Sequence, residues 1–91
     1  MLLSKSNANA LIEGSSPFLG YGPIDASILY AFGDLFLLVQ NDFPDSHVWL
    51  LADAFKKTRK RLPGALSPEE ILLLPNLHPA ALLAIRGDPS P

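Results

Sequence analysis

The longest apolar stretch of the chain covers residues 26–40, and it shows no strict alternation of apolar and polar positions. Many of its residues in 28–32 and 35–39 are aromatic, β-branched or large aliphatic. A continuous run of this kind is typical of a strand buried on both faces, although periodicity alone leaves a helix open. Gly33 and Asp34 interrupt the run and predict a bulge, bend or hinge. We therefore predict one buried strand.

A helical repeat follows and predicts a long helix over residues 44–62. Pro44 fits its first turn, and Asp45 complements its positive end. Pro63 and the glycine after it end the helix. The apolar side chains near one face are Val48, Leu51, Ala52, Phe55 and Leu62.

A second, short helix is predicted over residues 67–74. Ser67 as N-cap, Pro68 at the first helical position and Glu70 three residues after the cap form a capping box. Pro75 disfavours helical geometry at the preceding residue and stops the helix.

A third helix is predicted over residues 79–86, from Pro79 to a left-handed stop at Gly87. His78 precedes it and suits an N-cap-like role, its ring accepting a hydrogen bond from a helix amide. A zinc or catalytic role needs partners at ligand spacing, and neither His78 nor His47 has one.

The N-terminal part is predicted to be less regular. Residues 1–16 are compatible with a weak helix that nothing caps, and residues 17–25 form a loop because they hold two glycines and two prolines. We therefore divide the chain into an irregular or weakly helical segment, 1–25, and a strand-plus-helices segment, 26–91. The predicted fold is α+β and mostly helical, with one buried strand followed by three helices.

Composition limits the functions that remain open. The 91 residues make one domain or a piece of one, and 48% of them are hydrophobic, with a mean hydropathy of +0.23. This content predicts either a dense core or an apolar surface that something else covers. The net charge of −2 gives no push toward nucleic acid or a membrane surface, and there is no cysteine. No apolar run reaches the roughly 18 residues of a membrane-spanning helix.

Residues 56–61 hold five of the seven cationic side chains. Such a cluster, Lys56 to Arg61, is either a phosphate or nucleic-acid patch or a solvated helix end that complements the helix dipole. The absence of interleaved aromatic residues favours the helix end. The sequence does not fix the role of the cluster.

No catalytic motif is visible. The chain has no G-x-S-x-G, and its lone G-x-G at 20–22 is followed by Pro23, which argues against a phosphate loop. Asp34 is either buried with a partner or placed on a bend that reaches solvent, and the glycine beside it favours the bend. We predict no enzyme, no catalytic residue, no metal ligands and no cofactor, and we leave ligand-binding residues unassigned.

Four motifs occur in order along residues 35–87. Asn-Asp-Phe-Pro-Asp at 41–45 follows the apolar run, and His-Val-Trp-Leu-Leu-Ala-Asp-Ala-Phe occupies 47–55. Leu-Ser-Pro-Glu-Glu opens the second helix at 66–70. Leu-Pro-Asn-Leu-His-Pro-Ala-Ala at 74–81 opens the third.

This series resembles the C-terminal segment of TRAP-transporter solute-binding proteins of the TAXI family, which have a type II periplasmic-binding-protein-like fold. The chain departs from the family in three respects: Ala80 stands where the family usually has glycine, the spacer between the helices is short and basic, and family members are much longer. The resemblance implies a fragment of an α/β two-lobed receptor that closes on an organic anion or amino acid and delivers it to a membrane permease.

Under this resemblance the chain does not bind solute by itself, and no pocket residue is transferred to it. The implied partners are the rest of the receptor, or a second copy of the chain, through apolar faces, and the permease; no nucleic acid and no direct membrane insertion are expected. The implied location is periplasmic, or cytoplasmic if the chain is made as written, since no signal peptide is visible. A small helical protein–protein interaction or self-association module without catalytic activity stays open.

Overall fold

The computed structural model describes residues 1–14, 25–61 and 63–91. These residues form an α+β fold in which four α-helices pack around a three-stranded antiparallel sheet. The strands are β1 (Leu2–Ser4), β2 (Ala26–Phe32) and β3 (Leu35–Gln40). The helices are α1 (Lys5–Glu13), α2 (Asp45–Thr58), α3 (Pro68–Leu72) and α4 (Pro79–Arg86), and a 3-10 turn, Arg59–Arg61, follows α2.

The apolar run of residues 26–40 forms a β-hairpin, so the prediction of one strand was wrong. Gly33 and Asp34 make a two-residue turn, because Phe32 lies opposite Leu35 across the pair. Gly33 has a φ of 53°, a left-handed value that lets the chain reverse direction at once. Asp34 lies exposed on that turn, as the bend interpretation expected.

The N-terminal residues add a strand that the sequence analysis missed, and the weak helix that it allowed within residues 1–16 is a capped helix. β1 pairs antiparallel with β3, which makes β3 the central strand in the order β1-β3-β2. Ser4 is the N-cap of α1 and accepts a hydrogen bond from the N–H of Asn7 at 3.3 Å, and Gly14 ends the helix in a left-handed conformation. The prediction that nothing caps this helix was therefore wrong. The predicted loop at 17–25 and the G-x-G at 20–22 lie outside the described residues, apart from Asp25.

Both faces of the sheet are buried, which explains the continuous apolar run. A register shift between Ile28 and Tyr30 is a β-bulge, and Leu29 and Tyr30 pack in clusters with the helices α2 to α4. The cluster on the α1 side contains Ala8, Ile28, Ala31, Phe36 and Leu38. The main cluster on the opposite side contains Leu29, Val48, Ala52, Ala80, Ala81 and Ala84.

The outer edge of β2 is covered by the segment before α4. The N–H of Ile28 donates to the carbonyl of Asn76 at 2.8 Å, and the N–H of His78 donates to the carbonyl of Ile28 at 2.9 Å. A second bridge joins Phe32 to Ala65. These bonds fix the start of α4 against the sheet.

The helix predictions are close for the three later helices. α4 covers the predicted residues 79–86, whereas α3 ends two residues before the predicted 74. The long helix predicted over 44–62 ends as α2 at Thr58 and tightens into the 3-10 turn. Within the described residues, no helix combines the length and the apolar character needed to cross a bilayer.

Candidate functional site

Polar side chains gather where the open end of the β2–β3 hairpin meets the first turns of α2 and α4. They line a pocket of about 380 Å³ formed by Ser27, Asn41, Asp45, His78 and Pro79, which we call the polar pocket. A second concavity of about 550 Å³ lies nearby and shares the hairpin end; it is lined by Met1, Asp25, Ala26, Leu38, Val39, Gln40, Asp42 and Phe43. The sequence analysis gave a ligand-binding role to none of these residues.

Asn41 holds the two strands together at the mouth of the polar pocket. Its side-chain carbonyl accepts a hydrogen bond from the hydroxyl of Ser27, and its amide nitrogen donates to the carboxylate of Asp25 at 2.7 Å. Its backbone N–H also donates to the carbonyl of Asp25, at 3.0 Å. These contacts follow from the register, in which Ala26 lies opposite Gln40 and the next residues outward face each other. The amide is thus engaged in closing the hairpin.

His78 forms the inner wall of the polar pocket and has the N-cap role that the sequence predicted. The residue is 3% exposed, and its ring Nδ1 accepts a hydrogen bond from the N–H of Ala80 at 3.1 Å. In the neutral ring this bond assigns the proton to Nε2, which lies 3.9 Å from a carboxylate oxygen of Asp45. The lone pair is therefore directed to the helix amide, and the ring is not placed as a general base for Ser27.

The other histidine has no part in this pocket. His47 is exposed on α2, and its ring centre lies 5.7 Å from that of Phe43. The described residues contain no group of three or more His, Asp or Glu side chains arranged to hold a metal ion.

Two side chains of the basic cluster contact the helices around it. Lys56 donates a hydrogen bond to the carbonyl of Ala84 at 3.3 Å and so links α2 to α4. Lys57 pairs with Asp53 one turn earlier at 2.9 Å. These contacts agree with the helix-end interpretation.

Tyr30 is the buried polar side chain that the sequence analysis did not single out. It is fully buried beside Phe32 and Phe55, and its hydroxyl finds no hydrogen-bond partner among the described residues. Burial raises the pKa of the Tyr30 phenol above its usual value, and the nearby positive charge of Arg59 opposes part of that rise. A tyrosine within a strand buried on both faces was the available signal.

Several large apolar side chains stay exposed. Leu50 and Leu51 on α2 are 58% and 42% exposed, and Leu73 after α3 is 84% exposed. Leu50 and Leu51 are neighbours in the chain, so α2 carries exposed apolar surface on its solvent side.

Comparison of this chain with protein-family models, with curated proteins and with solved structures gives no match.

Proposed function

We propose that this chain is the C-terminal segment of an extracytoplasmic solute receptor of a TRAP-type transporter, of the TAXI family, acting in the uptake of organic anions or amino acids. In this proposal the chain has no catalytic activity and no cofactor, and it does not bind solute by itself. It works in the periplasm as part of a two-lobed receptor that delivers its solute to a membrane permease.

The main support is the path of the chain from β3 into α2. The strand ends at Gln40, a turn follows, and α2 begins at Asp45. The helix then packs against the sheet: Val48 and Ala52 share a buried cluster with Leu29 of β2, and Leu37 and Val39 of β3 pack against the same cluster. This strand, turn and packed helix occur in the order that the resemblance implies.

A second support is that the remaining motifs specify backbone geometry. The Ser67 side chain accepts a hydrogen bond from the N–H of Glu70, whose carboxylate accepts one from the N–H of Ser67, so the capping box is complete. The ring of His78 also accepts a hydrogen bond from an amide at the start of α4, the N–H of Ala80. Motifs that fix helix starts suit a segment that completes a lobe and leaves solute contacts to other regions.

The reading frame around this segment tests the proposal most directly. We expect the preceding codons to encode an α/β receptor with an export signal, and a permease gene to lie next to it. The receptor so defined should release or absorb heat on titration with carboxylates or amino acids, whereas the 91-residue chain, as the matched control, should not. An unrelated reading frame beside the segment, or solute binding by the chain alone, would contradict the proposal.

A second candidate function is a small protein–protein interaction or self-association module. The observation that favours it is the exposure of Leu50, Leu51 and Leu73. Apolar side chains placed in water at this density favour burial against a partner. A chain that stays monomeric at high concentration and binds no hydrophobic dye would count against this candidate.

A further inference from the structure

An apolar ridge runs along the solvent side of α2. Its apolar members are Phe43, Leu50, Leu51 and Ala54, and His47 lies among them; we call these five residues the α2 ridge. The members on the helix are three or four residues apart, so they share one face, and all are exposed. The face that carries Val48 and Ala52 is buried against the sheet and α4. α2 therefore has two apolar faces, and the described residues cover only one of them.

The two ends of α2 carry opposite charge. Asp42 lies in the turn before the helix and Asp45 in its first turn. Five cationic side chains occupy residues 56–61 at the other end. Two copies of the helix side by side in the same direction would bring like charges together. When the two helices run in opposite directions, the acidic end of each lies beside the basic end of the other. The two helix dipoles are then antiparallel, which is also favourable.

The spacing of these charges matches a two-fold axis at the centre of the ridge. Leu51 is equally far along the chain from Asp42 and from Lys60, and also from Asp45 and from Lys57. When two copies of Leu51 face each other antiparallel, Asp42 lies level with the partner's Lys60. By symmetry the same match in height occurs a second time with the two copies exchanged, as a closed two-fold interface requires.

We propose that two copies of this chain associate antiparallel through the α2 ridge. Leu50 and Leu51 lie at the centre of the contact, and at each end Asp42 of one copy lies at the height of Lys60 in the other copy. This proposal rests on the second candidate function and names its partner. It does not depend on the receptor proposal.

Sedimentation velocity of the full chain over a wide range of concentration tests the interface. We expect a reversible dimer in the wild type. Replacing Leu50 and Leu51 together by glutamate places charge at the centre of the contact, so the dimer should be lost at every concentration. Leu73→Glu is the matched control: the side chain is more exposed and lies off the ridge, so this variant should dimerise like the wild type. Circular dichroism confirms that each variant stays folded.

Charge reversal tests the antiparallel register. Asp42→Lys alone and Lys60→Glu alone each place two pairs of like charges at the same height along the antiparallel helices, and each should weaken the dimer by roughly tenfold. Mixing the two variants restores both attractive pairs in a heterodimer, which should recover wild-type affinity and lose it again at high salt.

A monomeric wild type, or a dimer that survives glutamate at both leucines, would overturn the proposal. If Leu73→Glu abolishes the dimer and the ridge variant does not, the interaction-module candidate stands and the α2 ridge is wrong. If mixing gives no recovery while the ridge variant is monomeric, the antiparallel register is wrong.

Discussion

The Nδ1 atom of His78 accepts a hydrogen bond from the backbone N–H of Ala80, and the ring that makes this bond is almost fully buried. The same residue donates its own backbone N–H to Ile28 in β2. One side chain thus satisfies a free amide at the start of α4, while its backbone fixes that start to the sheet. A histidine next to a proline is thus explained by helix geometry, as the predicted N-cap-like role expected.

Replacing His78 should separate its cap from its packing. His78→Ala removes the acceptor and leaves a cavity, so the free energy of unfolding should fall by about 2–4 kcal/mol. His78→Asn keeps an acceptor that caps well, and its loss should be clearly smaller. Urea denaturation measures both. Equal losses in the two variants would show that packing alone, and not the cap, explains the role of the residue.

Replacing Tyr30 by phenylalanine should leave the protein as stable as before or more stable. The buried hydroxyl has no partner among the described residues, so its removal relieves a desolvation cost of about 1 kcal/mol. A clear loss of stability at neutral pH would mean that the hydroxyl is hydrogen-bonded in solution.

The same variant makes an alkaline prediction. Burial raises the folded-state pKa of Tyr30, so above about pH 10 the unfolded chain ionises at this residue first and binds fewer protons than the folded chain. The wild type should therefore lose stability as the pH rises above about 10, and Tyr30→Phe should lose less. Denaturation curves of the wild type and of Tyr30→Phe at several alkaline pH values measure the difference. The ionisation of the lysines and of the second tyrosine contributes equally to both proteins and cancels. Identical slopes would contradict the raised pKa.

Some of this fold follows from local sequence and some does not. The capping box at Ser67, the bounds of α4 and the left-handed stop at Gly87 were predictable, because each depends on residues within one helical turn. The hairpin was missed because burial on both faces hides the period of two that marks a strand. β1 was missed because three residues become a strand only by pairing with Leu35 to Leu37, more than thirty residues away.

The candidate site was less predictable than the fold. Ser27, Asn41 and His78 are far apart in the chain, and only the hairpin register and the bridge to β2 bring them together. The α2 ridge was not predicted: the sequence analysis placed Leu51 near the same face as Val48 and Ala52, and in the structure Leu51 is exposed. Helical spacing allows Leu51 on the edge of either face, and the packing of α4 against the alanine side decides which face is buried.

The contact between α2 and α4 depends on small side chains. Ala52 on α2 is fully buried beside Ala81 and Ala84 of α4, so the two helices approach closely. Ala84→Leu should overpack this contact and lower the free energy of unfolding by about 1–3 kcal/mol. Ser46→Leu, at an exposed position of α2 outside the α2 ridge, is the control and should change it by no more than about 0.5 kcal/mol. A harmless Ala84→Leu would show that the helices are less closely packed than the structure has them.

The reversal of the chain at Gly33 should depend on that glycine. Its φ of 53° disfavours any residue with a side chain, and its N–H donates a hydrogen bond to the carbonyl of Gly64. A Cβ at this position would meet the Gly64 carbonyl only at ordinary contact distance, 3.5 Å, so the backbone conformation and not a clash sets the cost. Gly33→Ala should therefore lower the free energy of unfolding by about 1–2 kcal/mol, as measured by urea denaturation. Asp34→Ala, at the neighbouring exposed position, where the backbone has no positive φ, should be nearly neutral. If the two variants lost equal stability, the turn would not require the left-handed residue, and the hairpin would have to be held by the pairing of its strands alone.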